Sequence, residues 1–234
     1  MTLSVCTICQ DEEEPIKWFL EACTHLTSNC PTLNEVVLID GGSKDNTIDV
    51  IKSYMDKVPL KLLERSFDCT RDQQNFGLEH CTGDFVFTPD ADMTWTSNFP
   101  QVFNSGFFNN MKFCDFPMIY TAKDAHHWFY KWSNGVNMRL HKRGPKWIRK
   151  FHVKLEGQTQ GLPVCGQVTI FENSCRISSE AALLNRGQRR QWCEKDMIEE
   201  GIGPGPVDRF LGAAKHAEFT RLPDNLLNLV IPGT

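Results

Sequence analysis

Apolar and polar positions come in repeating blocks over the first ninety residues. Residues 3–9 form a short apolar run that ends in Gln10-Asp11-Glu12 and predicts a strand, a loop and the start of a helix. In the next segment Ile16, Phe19, Leu20 and Cys23 share one helical stripe behind Pro15. Residues 35–39 read as a second strand bounded by Asp40-Gly41-Gly42, after which Ser43 is placed to cap a helix carrying Ile48, Ile51 and Met55. The unit then recurs: a strand over 60–63, a helix over 71–80, and a strand over 85–88 that stops at Pro89-Asp90-Ala91-Asp92. Strands alternating with helices predict an α/β fold with a mostly parallel sheet flanked by helices, and such sheets bind ligands beyond the carboxyl ends of their strands. The polar clusters noted so far all fall at such ends.

From about Trp95 the pattern loosens into aromatic and Asn-rich sequence, a basic stretch over 139–154, and a predicted strand over 168–171. Ser178 or Ser179 is placed to cap a further helix, residues 201–206 read as a Gly/Pro loop, and the apolar segment 226–231 is expected to pack against the body.

Composition narrows the reading. With 234 residues, 41% of them hydrophobic, the chain can bury a substantial core. A formal net charge of −4 gives no overall attraction to nucleic acid. The first residues lack a basic n-region, and no run reaches membrane-spanning length, so a cytosolic protein is expected. Ten cysteines in such a chain are expected to be reduced. Cys6 and Cys9 form a C-x-x-C, but on a strand residues three apart face opposite ways, which argues against chelation.

Asp90-Ala91-Asp92 sets two carboxylates at a strand exit, an arrangement suited to Mn²⁺ or Mg²⁺, hard cations that keep positions open for phosphate oxygens. Asp40 can accept a hydrogen bond from a nucleoside base or close an Asx-turn, and Arg71 can fork onto a diphosphate or stand solvated at a helix start.

The series CTICQDEEE, VVLIDGGSKDNT and RDQQNFGLEHCTGDFVFTPDADM resembles, in order and spacing, the family-two glycosyltransferases of the GT-A fold, which are usually inverting enzymes. The resemblance implies a nucleotide-sugar-binding half over 1–94 and an acceptor half with a C-terminal helical segment over 95–234, together one GT-A domain. It implies transfer of a single sugar from a nucleoside-diphosphate sugar, by default a UDP-sugar, to a hydroxyl acceptor. Glu12 matches the Glu of the family's Asn-Glu pair, with Asp11 in place of the Asn. Asp40 matches the base-binding Asp, Arg71 the Arg beside base and phosphate, Asp90 the Asp near ribose and metal, and Asp92 the direct metal ligand. Gly42 stands where many members carry a second Asp.

The stretch MRLHKRGPKWIRKFHVKLEG resembles a segment that in one branch of the family runs to a His-Glu pair. His152 takes the His position and Val153 replaces the Glu, so Glu156 becomes the favoured general base, with His152 and Asp124 as the other candidates. His152 reads equally as a packed histidine beside Trp147 and Phe151. Some members recruit a later His as a third metal ligand. Here the FENS segment offers Glu172 and Asn173, and no metal ligand is expected from it.

The basic run of Arg139, Lys142, Arg143, Lys146, Arg149, Lys150 and Lys154 reads either as a solvated face or as a clamp for a phosphate-rich partner. Two acceptors are expected candidates: a hydroxymethylated base in DNA, and an envelope saccharide on which Trp95, Trp128 and Trp132 could stack, each of the three otherwise reading as an ordinary core or rim residue. A non-catalytic nucleotide-sugar-binding protein, or a sugar nucleotidyltransferase of the same architecture, is the alternative. The Gly-rich loop of the latter is replaced here by CQDEEE.

Overall fold

The computed structural model describes residues 1–122, 124–132, 139–148, 155–158, 162–175, 220–222 and 224–234. Along the chain the elements are β1 (Leu3–Cys9), α1 (Pro15–Asn29), β2 (Leu33–Asp40), α2 (Thr47–Lys52), β3 (Leu60–Glu64), α3 (Thr70–Glu79), β4 (Phe85–Phe87) and β5 (Met93–Trp95). There follow α4 (Phe99–Asn104), β6 (Phe113–Cys114), β7 (Met118–Ala122), β8 (Asp124–Trp132), β9 (Leu140–Lys142), β10 (Ile170–Cys175), β11 (Thr220–Arg221) and α5 (Asp224–Leu227). The sequence-predicted helix behind Ser178 or Ser179 and the 201–206 loop lie outside the described residues.

A six-stranded sheet has the order β3-β2-β1-β4-β9-β6. Its first four strands are parallel, and β9 runs antiparallel to both β4 and β6. The alternation of the sequence explains how both faces are covered. Leu3, Val5 and Cys9 of β1 join Ile16, Phe19, Leu20 and Cys23 of α1 in one cluster. Cys6 points the other way, to Val37, Ile39, Val86 and Cys81, where Phe76 and Leu78 of the α3 side close over it. The two cysteines of the C-x-x-C therefore lie on opposite faces, as their spacing requires. The cysteines described at side-chain level are free and buried.

The five strands β11-β8-β7-β10-β5 form a second sheet, mostly antiparallel. Its β5 follows directly on the Asp90–Asp92 segment. The first sheet takes β6 and β9 from beyond residue 95, so the two halves of the chain share it. Leu226, Leu227 and Val230 pack on Ile119, Phe171 and Leu222, and Ile231 is buried in the main core, in keeping with the apolar pattern of the tail.

Two local expectations are corrected, and one pair of alternatives is decided. Ser43 does not cap α2: its hydroxyl turns back onto Asp40, and the helix starts four residues later behind Asn46. The sequence-predicted strand over 168–171 is displaced to Ile170–Cys175 by its pairing with β5 and β7. Trp95 is no sugar platform. It is fully buried, with edge contacts to Phe19, Phe87 and Phe99.

His141 of β9 is fully buried, with Nδ1–H donated to the carbonyl of Lys142 at 2.9 Å. Burial pushes its pKa down to about 4, against a smaller upward pull from that bond. The folded value lies below the unfolded one, near 6.5, so the neutral ring's contribution is complete above pH 6.5 and is lost as pH falls toward 4. Chemical denaturation at pH 7 and pH 4.5 is expected to show a loss of about 2 to 3 kcal/mol from this group alone, absent in His141→Phe. An unchanged pH dependence in that variant would contradict the assignment.

Candidate active site

The carboxyl ends of β2, β1 and β4 lie side by side. Connections leave β1 toward β2 on one side, while β4 flanks it on the other, so these ends form the crevice at which open α/β sheets bind ligands.

On one side of the crevice two loops are laced together. Asp11 has φ 52°, a left-handed conformation that Asp and Asn tolerate best among residues with side chains. Its carboxylate accepts the Lys44 N–H at 2.7 Å, and its own N–H is donated to Ser43 Oγ at 2.9 Å. Asp11 thus ties its own turn to the loop after β2. The Glu12 N–H donates to Thr47 Oγ1 at 2.8 Å and its side chain is buried. Asp40, 1% exposed, accepts the N–H groups of Gly42 and Ser43 at 2.8 and 2.9 Å, which is the Asx-turn. Gly42 adopts φ +94°, a backbone that strains any side chain, which accounts for glycine at this position. Arg71, at the head of α3, forks onto its neighbour Asp72 through Nε and Nη2 at 2.7 and 3.1 Å.

On the other side stands an acidic cluster. Asp90, Asp92 and Glu172 each offer a carboxylate oxygen, all within 4.8 Å of one another. The strand ladder explains the meeting: Glu172 pairs with Met93 across β10 and β5, and the Asn173 N–H donates to the Asp92 carbonyl at 3.0 Å. Asn173 is itself pinned, donating to Thr94 Oγ1 and the Phe171 carbonyl and accepting from Thr121. From β1, the Thr7 hydroxyl donates to the Pro89 carbonyl and fixes the start of the loop. The FENS segment, from which no ligand is expected, thus brings Glu172 beside Asp90 and Asp92. Three hard oxygen donors at this spacing fit Mn²⁺ or Mg²⁺.

Arg139 closes the cluster from β9. It donates from Nη1 to Asp90 Oδ1 at 3.1 Å and to the Thr88 carbonyl at 3.0 Å, and from Nη2 to Asp90 Oδ2 at 2.8 Å. Burial opposes its charge, but Asp90, Glu172 and Asp92 overcome that and hold the guanidinium above its ordinary pKa. The register that pairs Cys114 with Leu140 puts buried Asp115 opposite Arg139. Burial raises the Asp115 carboxyl, against the pull of the Phe116 N–H and of Arg139.

The candidate bases separate. Glu156 is exposed, and its N–H donates to the carbonyl of Lys146, whose ammonium pairs with Glu79 at the last residue of α3. The crevice lies at the opposite end of that helix, so Glu156 does not join the acidic cluster. Asp124 opens β8, two residues beyond Ala122, which pairs with Cys175, itself three residues past Glu172. Its backbone is thus on the cluster's side of the second sheet; its side chain, like those of Trp128 and Trp132, is outside those described. His152, Arg149, Lys150 and Lys154 lie outside the described residues. Elsewhere in the basic run Arg143 Nε donates to the Gly83 carbonyl at 3.0 Å and Lys142 lies over the Phe85 ring.

A mostly parallel α/β sheet with acidic groups at a strand-end crevice places a candidate ligand site where open sheets of this kind bind their ligands. The sequence pattern of Glycosyl transferase family 2 matches residues 4–158, and the chain belongs to that family. Lipopolysaccharide core biosynthesis glycosyltransferase LpsC of Rhizobium meliloti is 31% identical over 93 residues, 39% of this chain and 32% of that protein. The chain therefore spans about a third of the curated relative it matches. The structure of S. aureus TarS is similar with a TM-score of 0.56 at 13% identity, covering 74% of this chain and 37% of that one, and shows the shared GT-A fold. Glucosyl-3-phosphoglycerate synthase of Mycobacterium tuberculosis, solved with Mg²⁺ and uridine diphosphate, matches over 51% of this chain and 43% of its own at 16% identity, TM-score 0.39. Among the described residues no helix is long and apolar enough to cross a membrane.

Proposed function

We propose that the chain transfers a single sugar from a nucleoside-diphosphate sugar, with UDP as the leaving group, to a hydroxyl acceptor with inversion. The observation that carries this reading is the convergence of Asp90, Asp92 and Glu172 at the crevice beside β1 and β2. Asp92 and Glu172 would hold Mn²⁺ or Mg²⁺, which when bound neutralises charge developing on the leaving diphosphate. Asp40 and Glu12 would line the nucleoside side, and Asp90 would stand near the ribose and the cation. Arg71 is placed to exchange Asp72 for a diphosphate oxygen, since both are charge-assisted contacts of the same fork geometry.

Inversion requires a base to take the acceptor proton as the hydroxyl attacks. We assign it to Asp124, the candidate whose strand position lies on the cluster's side. Glu156 is set aside because of its place beside the far end of α3. Asp124→Asn is expected to lower kcat about 100-fold or more, with Mn²⁺-supported UDP binding within about twofold of wild type. Unchanged kcat would remove Asp124 from the mechanism.

For the acceptor we favour a saccharide of the cell envelope, by analogy with the lipopolysaccharide core biosynthesis glycosyltransferase LpsC. A DNA acceptor draws no support from the described basic residues, because Arg139 is engaged by Asp90 and Lys146 by Glu79. The test is to incubate the protein with Mn²⁺ and a panel of UDP-sugars, with lipopolysaccharide core oligosaccharides and hydroxymethylated DNA as acceptors. Mass gain of one sugar on the oligosaccharide supports the reading, and a gain on DNA alone overturns the acceptor assignment. Donor binding without transfer or hydrolysis would favour a non-catalytic sugar-nucleotide-binding protein.

A further inference from the structure

Two glutamines stand side by side near the start of α3, and the fold uses them differently. Gln73 is fully buried, and its amide is spent on the loop before the helix: Nε2–H donates to the Arg65 carbonyl at 2.8 Å, and Oε1 accepts from Arg65 Nη1 at 2.7 Å. Gln74 is 8% exposed, yet its Oε1 is buried with no hydrogen-bond partner among the described residues. An unpaired amide oxygen inside a protein is costly, and one placed at a ligand crevice calls for a donor from the ligand.

The packing of α3 says where this amide stands. A Cβ at Gly77 would lie 2.4 Å from Ile39 Cδ1 and 2.6 Å from Cys6 Sγ, so the helix rests directly on β1 and β2 there. Gln74 is three residues earlier on the same stripe, about 4.5 Å nearer the helix start. Because Ile39 is followed at once by Asp40 and Gly41, one turn up from Gly77 the stripe reaches the crevice at the end of β2. Arg71 lies a turn beyond, at the rim.

An aromatic ring belongs to the same level. Half-buried Phe67 donates its N–H to the Gly41 carbonyl at 3.3 Å, and its Cβ lies 3.2 Å from where a Cβ on Gly41 would be. Gly41 is two residues beyond Ile39 and shares its α3-facing side of the sheet. Asp40 alternates to the other side, and its carboxylate already accepts from the Gly42 and Ser43 N–H groups and from Ser43 Oγ. An unpaired amide beside an aromatic side chain suits a nucleobase, which presents an edge to pair with and a face to lie on. Uracil offers N3–H next to the O4 carbonyl, and a primary amide carries the matching acceptor and donor.

We propose that Gln74 is a specificity-determining residue that reads the base of the sugar nucleotide, its amide pairing with the N3–H and O4 edge of uracil while Phe67 lines one face of the ring. This rests on the reading of the crevice as a uridine diphosphate site, and it names the group that selects the base.

The test is calorimetric titration, with Mn²⁺ present, of pyrophosphate, UDP and N3-methyl-UDP, the last of which lacks the N–H. Wild type is expected to bind N3-methyl-UDP at least tenfold more weakly than UDP. Gln74→Met, similar in size and without an amide, is expected to weaken UDP about tenfold and leave pyrophosphate within about twofold of wild type. In that variant the N3-methyl penalty shrinks to within about threefold. Its thermal midpoint without ligand holds or rises, because an unpaired buried group has been removed. Equal binding of UDP and N3-methyl-UDP by wild type overturns the proposal, whatever the variant does. So does a variant that keeps the full penalty, since another residue then reads the edge. A variant that weakens pyrophosphate and UDP alike, or melts lower, marks a structural role and overturns it too. GDP presents the same edge on a purine, and tighter binding of GDP than of UDP overturns the assignment to uracil. Pyrophosphate binding with UDP no tighter overturns base reading and leaves the diphosphate site standing, whereas binding of neither overturns the donor site and this proposal with it.

Discussion

Asp92→Asn is expected to lower Mn²⁺-supported sugar transfer at least a hundredfold while leaving the protein folded. The carboxylate is buried and belongs, with Asp90 and Glu172, to the acidic cluster at the crevice. On the proposed reading, removing it takes away one of the three carboxylates around a cation that would neutralise the leaving diphosphate. The backbone that places it is untouched, because the Asn173 N–H still donates to the carbonyl of residue 92. Relief of like-charge repulsion with Asp90 and Glu172 is expected to hold or raise the metal-free thermal midpoint. Steady-state kinetics beside a thermal melt checks both halves. A variant that loses activity only because it unfolds would not support a ligand role.

Trp95→Ala is expected to show the largest loss of stability. The ring is fully buried and meets Phe87 at 5.0 Å and Phe19 at 6.0 Å between centroids, both nearly perpendicular. Phe99 in turn stacks obliquely on Phe87 at 4.8 Å, so the vacated volume is walled by rings that hold one another in place. Such a site cannot collapse far, and truncation is expected to cost about 3 to 5 kcal/mol, lowering the midpoint by about 10 °C. Urea denaturation followed by far-UV circular dichroism measures this. A loss under about 1 kcal/mol would mean that the cluster repacks. Because β5 carries Trp95 and begins next to Asp92, partial unfolding here is expected to disturb the acidic cluster before the nucleoside loops.

What could be read from the sequence follows from how local each feature is. The strands and helices up to Phe87 show their periodicity within their own residues, and Asp40, Asp90 and Asp92 stand at strand ends where turn chemistry marks them. Glu172 gave no such mark. Its place beside Asp92 depends on antiparallel pairing between β5 and β10, segments about eighty residues apart, and no local pattern records which strands pair. Arg139 was hidden differently: among seven cations in sixteen residues, charge alone does not say which one turns inward. A sharper signal was available in its neighbours, since Leu140 and His141 alternate with it as part of a buried strand. Glu156 illustrates the reverse error. Closeness in sequence to the His-Glu position suggested a base, but the Trp147–Leu155 bridge carries the following residue toward the end of α3 that faces away from the crevice. Trp95 was legible as apolar, and only the packing of four rings distinguishes a core tryptophan from one that stacks on sugar.

The central claim is that a divalent cation held by Asp92 and Glu172 carries the nucleoside diphosphate. Calorimetric titration of UDP into wild type and Glu172→Gln, each with and without Mn²⁺, tests it most directly. The account predicts UDP binding to wild type that depends on Mn²⁺ and is at least tenfold weaker in Glu172→Gln. Equal UDP affinity with and without Mn²⁺, or a Glu172→Gln variant indistinguishable from wild type, would contradict it.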